Sequence, residues 1–322
     1  MAAAWEAHAP EIVDLRQMMP GDLDPLLDEE ADLWRSHLDW DFQASASLIR
    51  KFVGMKALNG QVMMVNRKPV GYAYFVAEER KGLIGDLFVS TPFATPENES
   101  YLLSSVMNSV VRFSNIRRVE SQLLMMRFPR RMPPPYADHL KVYERNFMAV
   151  DLNRGSSLPP GRAAAKVNIL GWNERYHEDV SRLIAAAYRG HVDSNINDQY
   201  RNVGGARKFL MNIIQYPGCG SFFPPASWIA WDQATGQICG VSLASLVAPT
   251  TGHITQICVM PSVKGCGVGY ELLRSSLRAF ADHGCHKATL TVTSTNRDAI
   301  NLYERAGFLT LRQFSAMVWE GF

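Results

Sequence analysis

The segment GLIGDLFV at residues 82–89 returns as GHITQICV at residues 252–259, an offset of 170 residues. Carried forward without a gap, that offset lays Leu102 and Leu103 on Leu272 and Leu273, each pair opening a helix of apolar period. Further on, VYERNF (residues 142–147) is matched by LYERAGF (residues 302–308), with a shifted offset. Three matches in one order make the chain two copies of a single α/β unit. The chain has 322 residues, which suits two domains that each bury a core. Between the copies NRGSSLPPGRAAA, residues 153–165, is rich in Gly, Ser and Pro and reads as a connection. The division is therefore a domain over 10–153, a linker over 154–164 and a domain over 165–322.

Within the second copy, AKVNILGW predicts a strand, and HEDVSRLIAAAYRG and GARKFLMNIIQY predict amphipathic helices. SWIAWD and ICGVSLASLVA, joined by the turn QATGQ, form a hairpin, and HITQICVM is a third central strand. A helix to about His283 follows, then the strand KATLTVTS. The helix NRDAINLYERAG stops at Gly307, and RQFSAMVWEGF closes the copy as a strand. This order predicts a mixed α/β (α+β) fold, a largely antiparallel sheet flanked by helices.

Composition excludes several classes. Charged residues are 20% of the chain and the net charge is +2, so no global field argues for nucleic acid. No apolar run approaches the roughly 18–20 residues of a membrane span. Glu6, His8 and Glu11 interrupt the first segment, which lacks the basic start of a signal peptide, so a cytoplasmic protein is expected. The five cysteines, Cys219, Cys239, Cys258, Cys266 and Cys285, lack metal-site spacing and are read as free thiols, with no metal expected.

The chemistry gathers at VMPSVKGCGVG, residues 259–269, where three glycines at alternate positions stand between a strand and a helix. The first N–H groups of a helix point outward at the positive end of its dipole and hold anions. Gly267 and Gly269 let a phosphate approach the backbone, and Lys264 adds a cation. The spacing is neither a Walker A loop nor a dinucleotide fingerprint, and the reading is a diphosphate site.

This loop resembles the acetyl-CoA loop of the GCN5-related N-acetyltransferases (GNATs), an apolar strand with V-x-P and then [R/Q]-x-x-G-x-[G/A]. The segment TNRDAINLYERAGF resembles the family's second signature at Asn296, Ala299, Leu302, Tyr303, Gly307 and Phe308, about thirty residues on. Lys264 stands where the family has Arg or Gln, which keeps a charge and loses the guanidinium fork.

The resemblance implies a tandem GNAT-like chain whose second copy binds acetyl-CoA between two strands that splay apart. Ile257, Cys258 and Val259 would line the pantetheine, and Lys264, Gly265, Cys266, Gly267, Val268 and Gly269 the pyrophosphate. A backbone N–H near Cys258 or Val259 would polarise the thioester. Tyr303 holds the family's general-acid position, and Asn296 would cap its helix and touch the cofactor. For the base, strand alternation sets His253 with Thr255 and Ile257, opposite Ile254, Gln256 and Cys258. His253 is the candidate because its ordinary pKa of about 6.5 suits the task. The acceptor, a primary amine of a small molecule or peptide, would meet His191, Asp193, Asp198 and Tyr200 in the loop after the first helix. A non-catalytic acyl-CoA sensor or scaffold is the alternative, against which the acid Tyr303 argues. A nucleotide-hydrolysing enzyme is disfavoured by the missing Walker lysine.

In the first copy the same offset places Glu97 and Glu99 on Gly267 and Gly269, two carboxylates where a pyrophosphate would sit. That copy is expected to have lost the cofactor. Its Arg117, Arg118, Arg127, Arg130 and Arg131 form a basic cluster that suits a solvated face or an acidic partner.

Overall fold

The computed structural model describes residues 9–113, 115–128, 133–153, 158–216, 218 and 220–322. Arg130, Arg131, Cys219 and linker residues 154–157 lie outside the described residues. Packing divides the chain into two compact units. Unit 1 holds the chain up to Leu38, Phe42–Tyr143 and Phe314–Phe322, and unit 2 holds Asp39–Asp41 and Glu144–Gln313.

The elements run β1 (Glu11–Asp14), α1 (Asp24–Leu38), α2 (Gln43–Gly54), β2 (Asn59–Val65), β3 (Lys68–Glu78), β4 (Lys81–Val89), α3 (Pro96–Val111), β5 (Arg118–Gln122) and β6 (Leu140–Asp151). The second half runs β7 (Val167–Gly171), α4 (His177–Ala187), α5 (Asp193–Ile196), α6 (Val203–Gln215), β8 (Ser221–Phe222), β9 (Trp228–Asp232) and β10 (Gln237–Ala248). It ends with β11 (Thr251–Val259), α7 (Val268–Asp282), β12 (Lys287–Thr293), α8 (Arg297–Arg305) and β13 (Leu309–Glu320).

In unit 1 the strands lie in the order β1-β2-β3-β4-β5-β13, and in unit 2 β7-β9-β10-β11-β12-β6. Each is antiparallel except where β4 meets β5 and β11 meets β12. The two orders are the same, and the last strand of each unit comes from the other sequence copy: β13 pairs with β5, and β6 with β12. The division at 154–164 follows the repeat; the compact units follow the packing.

The repeat is legible down to one residue. β3 and β4 slip register at Gly85, between Phe75↔Ile84 and Tyr74↔Asp86, and β10 and β11 slip at Thr255, between Ala244↔Ile254 and Leu243↔Gln256. Gly85 and Thr255 stand 170 residues apart. The VYERNF match fails, however: those residues lie on strand β6, whereas LYERAGF runs along α8 and out of it. Among the described residues, a single 3-10 turn, Ala137–His139, stands between β5 and β6.

Helices cover both faces of the unit 2 sheet. On one face Leu273, Leu277 and Phe280 of α7 and Ile300 and Tyr303 of α8 bury Ile254 and Leu290. On the other, Val180 and Ile184 of α4 and Leu210 of α6 bury Val241 and Leu243. At about 25 cal/mol per Å² of apolar surface, such burial is the main favourable term in folding.

In unit 1, Arg118 is no part of a solvated face. It is buried, 2.6 Å from Glu120 and bonded to Glu320, tying β5 to β13. Arg127 donates to Thr91 Oγ1 at 3.0 Å.

Candidate active site

β11 pairs with β12 only from Thr251↔Lys287 to Ile254↔Leu290, after which the two strands no longer pair with each other, β11 staying on β10 and β12 on β6. The parting opens a notch in the sheet of unit 2 between residues 255–259 and 291–293. The bulge at Thr255 decides what faces it. Beyond the bulge, Ile257 packs with Tyr303 and Leu273 on the α7–α8 face, while Cys258 packs with α4 and α6.

Simple alternation, which put Ile254 with Gln256 and Cys258, is corrected: the extra residue turns the chain over, and Ile254 shares the face of Ile257. Backbone direction follows from the ladder. Met260 N–H donates to Cys239 C=O at 2.8 Å, so pairs 260/239, 258/241 and 256/243 exchange bonds with β10. The N–H and C=O of Ile257 and Val259 therefore point into the notch. Cys258 spends its backbone on β10, leaving Val259 as the donor of the two anticipated.

Side chains converge on the notch from three elements. Gln256 donates to Tyr188 Oη at 2.7 Å and accepts from Tyr200 Oη at 3.2 Å, and the two tyrosine rings stack at 4.4 Å. His191 Nδ1 accepts the N–H of Asp193 at 3.2 Å, its Nε2 lies 3.4 Å from Asn296 Nδ2, and Thr293 Oγ1 donates to Asp193. Asn296 Oδ1 accepts from Ala299 N at 3.3 Å, so it caps α8 and touches His191 at once. Asp198 is half-buried and opens a 3-10 turn that Asn197 caps.

Tyr303 reaches the notch from α8 with 6% exposure, its ring 5.9 Å from Phe308. Burial raises its pKa, with smaller pushes from the charge of Asp193 and from Cys258 and an opposing pull from Arg145. The phenol thus stays protonated and has a proton to give. Burial also pushes the Cys258 thiol up to about 12, which keeps it a neutral wall.

His253 does not fit the base role. Its side chain is 3% exposed, its ring lies 5.0 Å from Trp40 and 6.3 Å from Phe147, and Nδ1 is 2.8 Å from Thr289 Oγ1. Burial and the nearby Arg145 charge push its pKa down to about 3. A sealed, weakly basic imidazole cannot take a proton from an ammonium ion.

At the loop, Gly265 and Gly267 take φ of 76° and 97°, the left-handed region that glycine alone enters without strain. Gly267 is the N-cap of α7 and supplies no capping side chain, so the helix start stays open to an anion. Gly269 is less constrained: a Cβ there would meet Leu302 at 3.7 Å, an ordinary contact. Cys266 is exposed, whereas Val268 is buried beneath the loop. Lys264 Nζ is 3.3 Å from Asp298 Oδ2 at the surface, so its charge is shared with α8. Arg162, which sequence reasoning passed over, donates to Gly265 C=O and sets a second cation on the loop.

Comparison with known proteins agrees with this geometry. Residues 195–308 match the model of the acetyltransferase (GNAT) family. Over 97% of the chain, the fold superposes on a GCN5-related N-acetyltransferase from Sphaerobacter thermophilus, covering 95% of that chain at TM-score 0.68 and 16% identity. Residues 195–308 thus match the GNAT family, and the chain as a whole has the fold of GNAT structures. A tandem GNAT protein from the clavulanic acid biosynthesis pathway covers the same 97%, with 98% of its own chain, at TM-score 0.61 and 16% identity. A mycothiol acetyltransferase of Acidimicrobium ferrooxidans is 32% identical over 104 residues, 31% of this chain and 33% of that protein. The chain spans about a third of the length of the curated relatives it matches. No helix among the described residues is long and apolar enough to cross a membrane.

Unit 1 treats the same positions differently. Glu99 turns away from the start of α3 and accepts the N–H groups of Arg127 and Phe128 at 2.8–3.1 Å, so it does not confront a phosphate as expected. Glu97 is exposed, Thr95 caps the helix, and Pro96 has no N–H to offer. At the position of Gln256 stands Asp86, buried against Tyr72, whose Oη lies 3.0 Å from Asp86 Oδ2 and 2.5 Å from Glu30 Oε2.

Proposed function

We propose that unit 2 transfers an acetyl group from acetyl-CoA directly to a primary amine of a small molecule or peptide, and that unit 1 has no cofactor site. The observation that carries this reading is the parting of β11 from β12 beside an uncapped helix start. Gly265 and Gly267 leave a cradle that side chains would fill: a Cβ on Gly267 would sit 3.0 Å from Arg162 Cγ. Bound acetyl-CoA supplies a thioester carbon for attack. The residues suited to hold it are the 264–269 loop with Arg162 for the diphosphate, and the free backbone edge of Ile257 and Val259 for the pantetheine amides.

In this scheme the Val259 N–H donates to the carbonyl oxygen as charge develops there, a contribution typically worth 10²–10³ in rate. The acceptor arrives as an ammonium beside Asp193, whose carboxylate is oriented by Thr293. Asp193 would relay to solvent both protons that the ammonium loses, the first before attack so that the nitrogen has a free electron pair and the second as the amide forms, and Tyr303 would give its own proton to the departing thiolate. The phenol is then reprotonated from solvent, so protons balance over the turnover.

The test is a calorimetric titration of acetyl-CoA into the wild type and Gly267→Glu. One site per chain, lost in the variant while the fold persists, is expected. Two sites would restore a cofactor role to unit 1, and no binding to folded wild type would end the reading.

A further inference from the structure

We propose that residues 159–163 form a strap of the cofactor site, which Glu271 ties to α7 so that Arg162 meets the diphosphate. This rests on the acetyl-transfer reading and assigns Glu271 as a positioning residue for the same site. Strap and helix both belong to unit 2. Tyr270 Oη donates to Pro159 C=O at 2.9 Å, and Glu271 Oε1 accepts the N–H of Gly161. Ala163 is buried with Val268 and Leu272 of α7, and its C=O accepts the Lys166 N–H at 2.8 Å. Arg162 is anchored on both sides.

The sequence permits this close approach at one residue. A Cβ on Gly161 would lie 2.6 Å from Tyr270 Cδ1 and 2.8 Å from Glu271 Oε1, so only glycine lets the strap lie this near. Glu271 is 1% exposed, and its Oε2 accepts from Arg274 Nη2 at 2.7 Å and Nε at 3.0 Å. Arg274 balances the carboxylate, which leaves the positive start of α7 to a ligand.

What the strap delivers is a guanidinium at the open helix start. A Cβ on Gly267, the N-cap of α7, would lie 3.0 Å from Arg162 Cγ and 3.4 Å from its Nε. One of its five donors goes to Gly265 C=O, and among the described residues the fork makes no other bond. Lys264, the other cation of the loop, shares its charge with Asp298. A guanidinium matches two phosphate oxygens at once, while the helix N–H groups take others. Holding the backbone on both sides of Arg162 lowers the ordering cost of binding.

The experiment measures the Kd of the full chain for acetyl-CoA and for its 3′-dephospho form, both of which carry the diphosphate. Arg162→Gln should weaken both on the order of tenfold, as for one charge-assisted contact. Glu271→Ala should weaken both to a similar degree, and the double variant no further, because Glu271 acts through Arg162. Glu271→Gln keeps an oxygen for the Gly161 N–H and should recover most of the affinity. Gly161→Ala pushes the strap off α7 without removing a polar group. It should reproduce the Arg162→Gln loss, and it carries the test where Glu271→Ala fails to fold.

Unchanged or tighter binding by Arg162→Gln would overturn the inference, the tighter case showing that the guanidinium obstructs the site. A loss confined to acetyl-CoA would move Arg162 to the 3′-phosphate and overturn the diphosphate assignment. Losses that add in the double variant would show that Glu271 supports the helix and not the strap. Each of these leaves the acetyl-CoA site standing. Failure of the folded wild type to bind acetyl-CoA would overturn the acetyl-transfer reading, and this inference with it.

Discussion

Tyr303 carries the sharpest residue-level prediction. Burial keeps its phenol protonated, and its ring also packs in the core with Ile257 of β11. Tyr303→Phe keeps the ring and removes only the proton, so kcat should fall on the order of 10²-fold or more, with the Kd for acetyl-CoA within a factor of about three. Steady-state rates beside calorimetry decide it; an unchanged kcat would hand the acid role to solvent. The places of Tyr303 on α8, Asn296 at its cap and Gly267 at the start of α7 were legible because each sits in a contiguous motif whose local geometry fixes its position. His253 was misread because what seals it lies far off in sequence. Trp40 belongs to the short segment Asp39–Asp41, and Phe147 and Arg145 to β6, more than a hundred residues upstream. No window around His253 contains the groups that depress its basicity.

At the level of elements, strands and helices of unit 2 fell where period, caps and glycine stops placed them, because those signals act within a dozen residues. What the period could not show is a bulge. One unpaired residue, Thr255, exchanges the faces of everything after it. It thereby sets Gln256 and Cys258 toward α4, and Ile257 toward α7. The repeat offers a retrospective signal, since Gly85 is a glycine in mid-strand at the matching position, a common mark of a bulge. α8 yields a prediction of its own. Asn296 Oδ1 caps the helix while its amide meets His191. Asn296→Ala should cost about 1 kcal/mol of stability, whereas Asn296→Asp should keep the cap and lose only the amide contact. Urea midpoints separate the cases, and equal losses in both variants would show that the His191 contact, and not the cap, holds the helix.

For the molecule as a whole, matching strand orders hide opposite electrostatics in the two units, and this sets their responses to pH. In unit 1 Tyr72 has one proton for two carboxyls, so one of Glu30 and Asp86 must hold its own. Burial, with the Asp86 charge, lifts Glu30 well above the ordinary range, while Asp86 is raised to about 6. The folded unit then holds protons that the unfolded chain has lost, so its stability is greatest in acid and declines as pH rises through 4 to 6 and beyond. In unit 2 the sign reverses. His253 falls from 6.5 to about 3 on folding, so the unfolded chain binds the extra proton between those values. Stability there is complete above pH 6.5 and falls toward pH 3, by at most about 1.4 kcal/mol per pH unit for one proton. Hydrogen exchange, corrected for intrinsic rates, should therefore show β3–β4 peptides gaining protection from pH 8 to pH 5 while β11–β12 peptides lose it. Glu30→Gln supplies a permanently neutral partner to Tyr72 and should flatten the first response; His253→Gln should flatten the second. Parallel responses of the two units, unmoved by either substitution, would show that neither buried cluster governs the pH dependence.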